Sequence, residues 1–481
     1  MRLGVGQRKS TLYLIVRSRP GGVLYGIVAD DLTGALDAAL PFAERGYRAG
    51  VLLAPRTTAG LGREQETALR AAGFALDVMA LSTDSRSDTA EVAAEKACKA
   101  VAELKACGAG RLYKKIDSTL RGPFSAEIRA AMEASGRDVA AMVCPAFPEQ
   151  GRTVRNGILH IHGVPLDTSP FGSPIPGVSS VAEIIEAALL QPVVHLPIET
   201  VEAGSEAVRR AIGGALRAGR RLFCGDATEA SHLRAIAAAI DGLDVLPCGS
   251  AGLAGAIAGL SADYPLPSHT LDSRFHGNDG DRPLLVVEGF SGSPDAPRAR
   301  IEFTFLPGRD PVEDLRGAAS TRGKPVLIVA GSQHPATKAQ ARRLAQDGMA
   351  VLQWHGDDSA SPARLLASGH NTLVELAFPG EQAALSSDRT YREARLGELA
   401  GAVKRCILQA GGLVISGGDT ARAVLGALGA EALVIRGALE PGVPVCTIEG
   451  GMADGLPLVT KAGGFGGPDT LARAVRRLLE M

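Results

Sequence analysis

The stretch YGIVADDLTGALDAALPFAER, residues 25–45, contains the pattern that decides the fold. It begins with the short apolar run 25–29, which is typical of a strand, and continues with an alanine-rich segment of helical period from Thr33 to about Arg45. The strand has no polar face, so we expect both of its faces to be covered, as in a parallel sheet between layers of helices.

The same alternation recurs along most of the chain. Further strands are predicted at 48–53, 76–81, 111–116, 139–143, 193–196, 222–225, 325–330, 350–354, 412–416, 432–436, 445–449 and 457–460. Further helices are predicted at 89–107, 123–133, 203–217, 250–258, 336–346, 393–409, 420–428 and 468–479. The expected fold class is α/β, with two domains that are each a mostly parallel sheet flanked by helices, and a cleft between them.

Domain boundaries are expected where this alternation stops. Residues 268–283 are rich in Ser, His, Asp and Gly and have almost no apolar content, which is typical of a linker or an inserted loop. The start of the chain combines basic residues with an apolar patch that is too short for a signal peptide. The predicted organisation is a disordered leader at 1–22, a first domain at 23–262, a linker at 263–283 and a second domain at 284–481.

The composition argues against several classes of partner. Lys plus Arg total 51 against 52 Asp plus Glu, so the chain lacks the positive field that duplex nucleic acid or an anionic membrane attracts. Seven scattered cysteines, without C-x-x-C or a Cys/His ligand spacing, are typical of reduced thiols in a cytoplasmic protein. We expect a cytoplasmic protein that binds a small molecule, with no nucleic-acid or membrane partner and with a homodimer as the candidate assembly.

Polar clusters follow the predicted strands of the first half, where α/β sheets bind ligands. In ADDLTGA (29–35), Asp31 is a good helix N-cap, but capping accounts for only one of the two acids Asp30 and Asp31. Both the capping and the ligand interpretation stay open for this pair.

The run KKIDSTLRG (114–122) follows another strand and mixes both signs of charge. Lysine and arginine side chains there could bind a carboxylate, and Asp117 and Ser118 could bind hydroxyl groups. Alternation along the strand favours Lys115, rather than Lys114, on the face of Asp117. This run predicts a site for a small, hydroxylated acid, with a solvated loop as the alternative. In the loop CPAFPEQGRTVRNG (144–157), Arg152 is either an anion ligand or a surface arginine.

The second half has three glycine-containing turns between a strand and a helix: VAGSQHPAT (329–337), VISGGDTARAV (414–424) and KAGGFGGPDT (461–470). Such turns can direct backbone amides and helix N-termini at a polyphosphate, although each alone is often only a tight turn. The chain has neither a P-loop nor G-x-G-x-x-G after its first strand. Asp419 is a helix cap, a magnesium ligand or a general base, and His334 is a cap or a turn filler.

Taken in order, eight motifs resemble the four-carbon acid sugar kinase family. They are ADDLTGA, KKIDSTLRG, CPAFPEQGRT, CGSAGLA (248–254), VAGSQHPATKAQ, SGGDTA, EPGVP (440–444) and KAGGFG. The resemblance covers residues from about 23 to the C-terminus apart from 262–323, and it implies a two-domain, ATP-dependent kinase acting on threonate, erythronate or 3-oxo-tetronate.

The resemblance also implies roles for individual residues. The substrate-site residues would be Asp30, Asp31, Lys115, Asp117, Ser118, Arg121 and Arg152. The ATP-site residues would be Ser332, Ser416, Gly417, Gly418, Thr420, Gly463, Gly464, Phe465 and Gly466, with Asp419 as the candidate Mg²⁺ ligand. Asp30 or Asp117 would orient or deprotonate the terminal hydroxyl that attacks the γ-phosphoryl group.

Two other functions stay open. A non-catalytic sensor would bind a sugar acid or a nucleotide without transferring phosphate, but it would not need to keep both half-sites. A hydrolase or aldolase would use Lys114 or Lys115 as a Schiff base, and the glycine turns argue against it. The proline- and glycine-rich stretch TSPFGSPIPGVSS (168–180) departs from the family pattern and leaves the identity of the substrate open.

Overall fold

The structure is a computed structural model, and it describes residues 23–53, 76–260, 323–355, 362–378 and 388–481. The predicted leader at 1–22 and the predicted linker at 263–283 lie outside these ranges. The positions of the domain boundaries therefore stay predictions.

The first half alternates strands and helices in the predicted order. Its strands are β1 (Tyr25–Ala29), β2 (Ala49–Leu52), β3 (Val78–Ser82), β4 (Arg111–Lys115), β5 (Ala140–Cys144), β6 (Arg152–Arg155), β7 (Ile158–Ile161), β8 (Val164–Pro165), β9 (Val193–Leu196), β10 (Leu222–Gly225) and β11 (Val245–Gly249). Its helices are α1 (Leu32–Ala43), α2 (Ala90–Ala106), α3 (Phe124–Ser135), α4 (Val181–Leu189), α5 (Ile198–Glu202), α6 (Ser205–Arg217), α7 (Ala230–Ile240) and α8 (Ala251–Leu260).

The second half repeats this architecture. Its strands are β12 (Val326–Ala330), β13 (Ala350–Trp354), β14 (Thr372–Leu376), β15 (Gly412–Ser416), β16 (Ala432–Glu440), β17 (Val443–Glu449) and β18 (Pro457–Lys461). Its helices are α9 (Pro335–Gln346), α10 (Pro362–Ala367), α11 (Arg389–Cys406), α12 (Gly418–Leu428) and α13 (Thr470–Leu479).

The prediction of an α/β fold with a mostly parallel sheet between helices is confirmed. Within the described ranges, fifteen strands form one continuous sheet in the order β13-β14-β12-β15-β18-β17-β16-β2-β3-β1-β4-β11-β5-β10-β9. The two halves join where β2 pairs antiparallel with β16. Helix α1 packs across this junction, against β2 and β3 on one side and β16 and β17 on the other.

The junction also decides which way the strand ends point. The antiparallel pairings of β16 with β2, of β16 with β17 and of β17 with β18 reverse the strand direction between the halves. Six strand-to-strand steps separate β1 from β15. A twist of about 20–25° per step accumulates to about 120–150°, which offsets the reversal. The carboxyl ends of both parallel regions can therefore face the same space.

Several elements were missed by the sequence analysis. Strand β11, predicted only as the entry to a helix, lies between β4 and β5 in the middle of the first half. Strands β6, β7 and β8 form a separate antiparallel sheet that carries Arg152. The turn of this sheet is fixed by buried Asp226, which accepts hydrogen bonds from the amides of Asn156 at 2.7 Å and Gly157 at 2.9 Å and lies 2.8 Å from His195 Nε2.

Candidate active site

Three loops of the first half meet because their strands end in register. Strand β1 lies between β3 and β4, and Ala29 at its end pairs with both Ser82 and Lys115. The residues that follow these three positions therefore lie side by side at one edge of the sheet. This places Asp30, Asp31 and Asp117 next to the loop 83–88, which the sequence analysis did not consider.

Arg86 of that loop lies at the centre of the three aspartates. Its guanidinium pairs with both oxygens of Asp30, at 2.7 and 2.9 Å, with Asp31 at 2.6 Å and with Asp117 at 3.4 Å. The rule that found the other loops, polar residues directly after an apolar strand, applies equally to TDSRSD at 83–88. Arg86 could thus have been identified from sequence.

The structure confirms the capping interpretation of Asp31, and its role as a ligand stays a prediction. Its Oδ1 accepts a hydrogen bond from the amide of Gly34 at 2.6 Å and so caps α1. Its Oδ2 accepts from Thr33 Oγ1 at 3.0 Å and also contacts Arg86. Burial raises the pKa of Asp31, and the charge of Asp30 adds to this, against the opposing charges of Arg86 and Lys115.

Asp117 is held by two arginines. Arg121 donates to it from Nη2 at 2.5 Å and from Nε at 3.2 Å, and the amide of Thr119 donates at 2.8 Å. Burial alone would raise the pKa of Asp117, but the charge of Arg86 and the hydrogen bonds and charge of Arg121 outweigh it and hold that pKa well below its usual value. Asp117 is therefore a permanent anion near neutral pH.

The two lysines of KKIDSTLRG point to opposite sides, as alternation along a strand requires. Lys114 is buried and forms an ion pair with Glu127 at 3.1 Å. Lys115 Nζ donates to the carbonyl of Ile116 at 2.8 Å and lies 3.4 Å from where a Cβ on Gly34 would be. Lys115 is thus the lysine on the side of the aspartates.

Ser118 and Arg152 complete the predicted set. Ser118 is half-buried in the turn after Asp117. The Arg152 side chain donates to the carbonyl of Gln150, while its buried Nε has no hydrogen-bond partner among the described residues. Burial lowers the pKa of Arg152, and Asp117 opposes this shift. A buried donor without a partner is costly, which favours the anion-ligand interpretation of Arg152.

Asp37 was also missed by the sequence analysis. It lies one helical turn after Thr33 on α1, and this spacing of four residues places the two side chains on the same face. Burial raises the pKa of Asp37 to about 7, against the opposing charge of Lys115. The charge of Asp37 therefore changes near neutral pH.

In the second half, too, the polar turns lie together because neighbouring strands end in register. Ser416 at the end of β15 pairs with Ala330 of β12 and with Lys461 of β18. The amides of Gly331 and Ser332 donate to the carbonyl of Ser416, both at 3.3 Å. The turns that begin at 331, 417 and 462 therefore lie together, as the prediction of one nucleotide site requires.

Glycine is required where these turns touch. Gly417 has a φ of +115°, and a Cβ on Gly463 would overlap Ser332 Oγ. Thr420 is buried against Gly331 in the same way. Turns that approach each other this closely resemble known anion-binding turns, and their use for a nucleotide stays a prediction.

The turn 463–466 is stabilised by hydrogen bonds and packing with neighbouring segments. Gln340 Nε2 donates to the carbonyls of Phe465 and Gly466, both at 3.2 Å, and the ring of Phe465 packs over Gly442 of the EPGVP motif. Gly464 lies beside the ring of His334. His334 itself caps α9, because its Nδ1 accepts from the amide of Ala336 at 3.1 Å.

Lys461 is a further residue that the sequence analysis did not select. Its side chain is buried, and Nζ donates to Ser416 Oγ at 3.1 Å and to the carbonyl of Gly463 at 3.2 Å. Thr337 Oγ1 lies 3.4 Å from the same Nζ and donates to that carbonyl at 2.8 Å. Lysine and threonine together join the three turns.

The two half-sites adjoin each other. A Cβ on Gly418, at the start of α12, would lie 3.6 Å from Thr33 Oγ1, at the start of α1. Beside this contact, Arg422 pairs with Asp84 of the loop that carries Arg86, at 3.2 Å. A group bound at the glycine turns would therefore face the aspartate cluster.

The described residues contain no cluster of three or more His, Cys, Asp or Glu side chains that could hold a metal ion. Asp30, Asp31 and Asp117 are all engaged by Arg86, whereas Asp419 is exposed in the first turn of α12. This arrangement fits a Mg²⁺ ion held by phosphate oxygens, water and a single carboxylate. Asp419 as that carboxylate stays a prediction.

No helix in the described part of the chain is both long enough and apolar enough to cross a membrane. All seven cysteines are free, and Cys144, Cys224, Cys248, Cys406 and Cys446 are buried.

Comparisons with known proteins agree with this division of the molecule. Residues 25–257 match a family model described as a sugar-binding N-terminal domain, and residues 327–471 match one described as a nucleotide-binding C-terminal domain. The chain is 36% identical to the D-threonate kinase of Bordetella bronchiseptica, over 96% of this chain and 98% of that protein. It is 29% identical to the D-erythronate kinase of Heliobacterium modesticaldum, over 86% of this chain and 88% of that protein.

A solved structure shows the same fold. The crystal structure described as a putative tRNA synthase from Salmonella typhimurium LT2 superposes with a TM-score of 0.66 and 21% identity, covering 94% of this chain and 99% of that one.

Proposed function

Because this chain belongs to the four-carbon acid sugar kinase family and is a sugar-acid kinase, we propose that it transfers the γ-phosphoryl group of ATP to the terminal hydroxyl of a four-carbon sugar acid. D-Threonate is the first acceptor to test, since the relative with 36% identity is a D-threonate kinase. The observation that carries the proposal is the proximity of Gly418 to Thr33, which makes the glycine turns and the aspartate cluster neighbours.

The first half supplies groups for both parts of a sugar acid. Arg121 is half exposed, and Arg152 has a buried donor without a partner in the described part of the chain, so these two side chains would bind the carboxylate. Asp30, Asp31 and Asp117 accept hydrogen bonds, and they would bind the hydroxyl groups, with Lys115 and Ser118 beside them. Arg86 would fix the positions of the three carboxylates, because it contacts each of them.

The pKa values of the acidic residues decide which of them could accept the proton of the attacking hydroxyl. Burial would raise the pKa of both Asp30 and Asp117, but neighbouring cations and hydrogen bonds together lower it: Arg86 and the two lysines for Asp30, and Arg86, Arg121 and Thr119 for Asp117. A carboxylate with so low a pKa is a weak general base near neutral pH. We therefore propose that Asp30 and Asp117 orient the attacking hydroxyl, in keeping with phosphoryl transfer that depends chiefly on positioning and charge.

The second half would hold the nucleotide through amides and hydroxyls of its three turns. The proposed residues are Ser332, Ser416, Gly417, Gly418, Thr420, Gly463, Gly464, Phe465 and Gly466. A bound Mg²⁺ ion would neutralise phosphate charge, and Asp419 is the exposed carboxylate that could reach it.

The direct test is ADP release from Mg-ATP with a panel of threonate, erythronate and 3-oxo-tetronate. We expect turnover with at least one of them, and we expect Asp117→Asn and Arg121→Ala each to lower kcat/KM by orders of magnitude without unfolding the domain. Tight binding of a sugar acid without turnover of any would instead support a sensor. Near-normal kinetics of both variants would overturn the site assignment but leave the activity standing.

A cytoplasmic location and a homodimer belong to the same proposal. Reduced, mostly buried thiols suit the cytoplasm. Light scattering coupled to size-exclusion chromatography would measure the mass of the assembly in solution.

A further inference from the structure

Lys461 carries a buried positive charge that the described residues do not neutralise. Its side chain is only 1% exposed, and its hydrogen-bond partners are a hydroxyl, a backbone carbonyl and a second hydroxyl, all of them neutral. No carboxylate of the described ranges forms an ion pair with it. Lys114, the other lysine buried to this degree at a strand end, has Glu127 as its partner at 3.1 Å. Among the residues that the structure describes, Lys461 has no such counter-ion.

A buried charge without a counter-ion is unfavourable, so its retention at this place calls for a source of negative charge. The surrounding charged and titratable groups do not supply it. Glu440 is the nearest acid in electrostatic reach, but its carboxylate pairs with Arg473 at 2.5 Å and also accepts from Thr470. His334, on the other side of the turn, caps α9 and brings no negative charge.

The position of the lysine indicates what the missing anion is. Lys461 Nζ contacts Ser416 and Gly463, and Thr337 connects it to the helix that follows the Ser332 turn. Lys461 therefore lies on the buried side of all three turns proposed for the nucleotide. The amides and hydroxyls of these turns lie between Lys461 and a bound ligand.

We propose that Lys461 is a positioning residue for polyphosphate. Its ammonium group fixes the three turns, and its positive charge is neutralised by a nucleoside di- or triphosphate that binds on the opposite side of these turns. This inference rests on the proposed use of ATP. It assigns the recognition of the phosphate charge to a residue that does not itself reach the surface.

The same geometry predicts that binding of ATP is linked to protonation of Lys461. Burial lowers the pKa of Lys461 to about 8 in the protein without ligand, against a small opposing effect of Glu440. A bound polyphosphate favours the charged form and raises that pKa again. Binding of ATP at pH 8 is therefore accompanied by proton uptake of up to about half a proton per site, and the affinity for ATP falls as the pH rises through 8.

The test compares the wild type with Lys461→Met, which keeps an unbranched chain of similar volume without the charge. Isothermal titration calorimetry at pH 8, in buffers of different ionisation enthalpy, measures both affinity and proton uptake. We expect proton uptake with ATP but not with adenosine in the wild type. In Lys461→Met we expect the uptake to vanish and the Kd for ATP to rise at least about 30-fold, with the Kd for adenosine little changed. Lys404→Met, an exposed lysine at the opposite end of the sheet, is the matched control.

The outcomes separate the two proposals. If the wild type binds ATP without proton uptake, or if Lys461→Met folds and binds ATP as tightly as the wild type, this inference is wrong and the proposed kinase activity stands. If the wild type binds no ATP at all, both are wrong. Should Lys461→Met fail to fold, the wild-type affinities for ATP and adenosine between pH 7 and 9.5 decide the matter alone, because only the affinity for ATP is expected to fall.

Discussion

Thr33 and Gly418 lie on different halves of the chain and face each other across the candidate active site, with Thr33 Oγ1 3.6 Å from where a Cβ on Gly418 would be. Each residue begins a helix that follows a cluster of proposed ligands. The distance leaves room for a methyl group but not for a larger side chain between the half-sites.

Substitution of Gly418 tests this juxtaposition. Gly418→Ala adds one methyl group at an ordinary contact distance, and we expect near-normal kinetics. Gly418→Leu would push the turn and α1 apart, and we expect kcat to fall about 10²-fold or more because the reacting groups lose their alignment. Steady-state kinetics with separate binding measurements for ATP and the sugar acid provide the check. Unchanged kcat in Gly418→Leu would show that transfer does not occur between these two loops.

Arg86→Met tests the cation at the centre of the aspartates. Asp30 is almost fully buried, and it would lose both hydrogen bonds to Arg86. We expect kcat/KM to fall about 10²–10³-fold, as for the loss of other preorganised charges in active sites. We also expect the free energy of unfolding to fall by on the order of 3 kcal/mol, because buried carboxylates are left without their partner.

Urea unfolding and steady-state kinetics measure these two effects of Arg86→Met. Arg45→Met, just beyond the C-terminal end of α1, is the control, since Arg45 is exposed and its side chain donates to the carbonyl of Pro41 rather than to a carboxylate. If Arg86→Met kept the kinetics and the stability of the control, the shared cation would have no role.

Asp37 gives the stability a defined pH dependence. Its pKa is about 7 in the folded protein against 3.8 as the ordinary value, so the folded state binds more protons than the unfolded state between these values. Ionisation of Asp37 thus costs stability progressively as the pH rises from about 4 to 7. Asparagine resembles the protonated carboxyl group, and Asp37→Asn should gain stability relative to the wild type between pH 5 and pH 8.

Urea unfolding at both pH values measures the difference between Asp37→Asn and the wild type. Glu44→Gln, an exposed acid at the other end of α1, serves as the control for removal of one carboxylate charge. A constant difference between Asp37→Asn and the wild type at the two pH values would mean that Asp37 titrates normally.

Phe171 connects the stretch 168–180 to the proposed substrate site. The Arg121 guanidinium lies 5.9 Å from the centroid of the Phe171 ring, which is 41% exposed. A cation–π contact at an exposed site contributes about 0.5–1 kcal/mol, so Phe171→Ala should raise the KM for the sugar acid about two- to five-fold and leave the KM for ATP unchanged. Phe171→Tyr keeps an aromatic face and should restore the wild-type value. A rise in both KM values would indicate a structural effect instead.

Much of the fold could be predicted from the sequence because strand and helix patterns are local. The runs 25–29, 193–196, 222–225, 350–354 and 412–416 were predicted with the boundaries that the structure shows. The candidate-site loops after the strands predicted at 25–29, 111–116, 139–143, 325–330, 412–416 and 457–460 were found because polar residues after a buried strand have few structural reasons to be there. Arg86 was not predicted, although its loop at 83–88 has the same pattern of polar residues directly after a buried strand.

Other features of the structure have no local sequence pattern that predicts them. The buried state of Lys461 depends on which strands flank β18, and the pKa of Asp37 depends on what covers α1; neither is encoded in the residues nearby. The short strands β6, β7 and β8 owe their pairing to Ala227 and Asp226, about 70 residues further along the chain.

The sequence by itself determined the α/β class, the order of most elements and two sets of ligand-type loops, because these depend on periodicities within some ten to twenty residues. The tertiary structure alone decided that Ala29 lies in register with Ser82 and Lys115, that Ser416 lies in register with Ala330 and Lys461, and that β2 joins β16. Strand order, register and the accumulated twist of the sheet arise from contacts between distant segments, and those contacts bring an aspartate cluster within reach of the glycine turns.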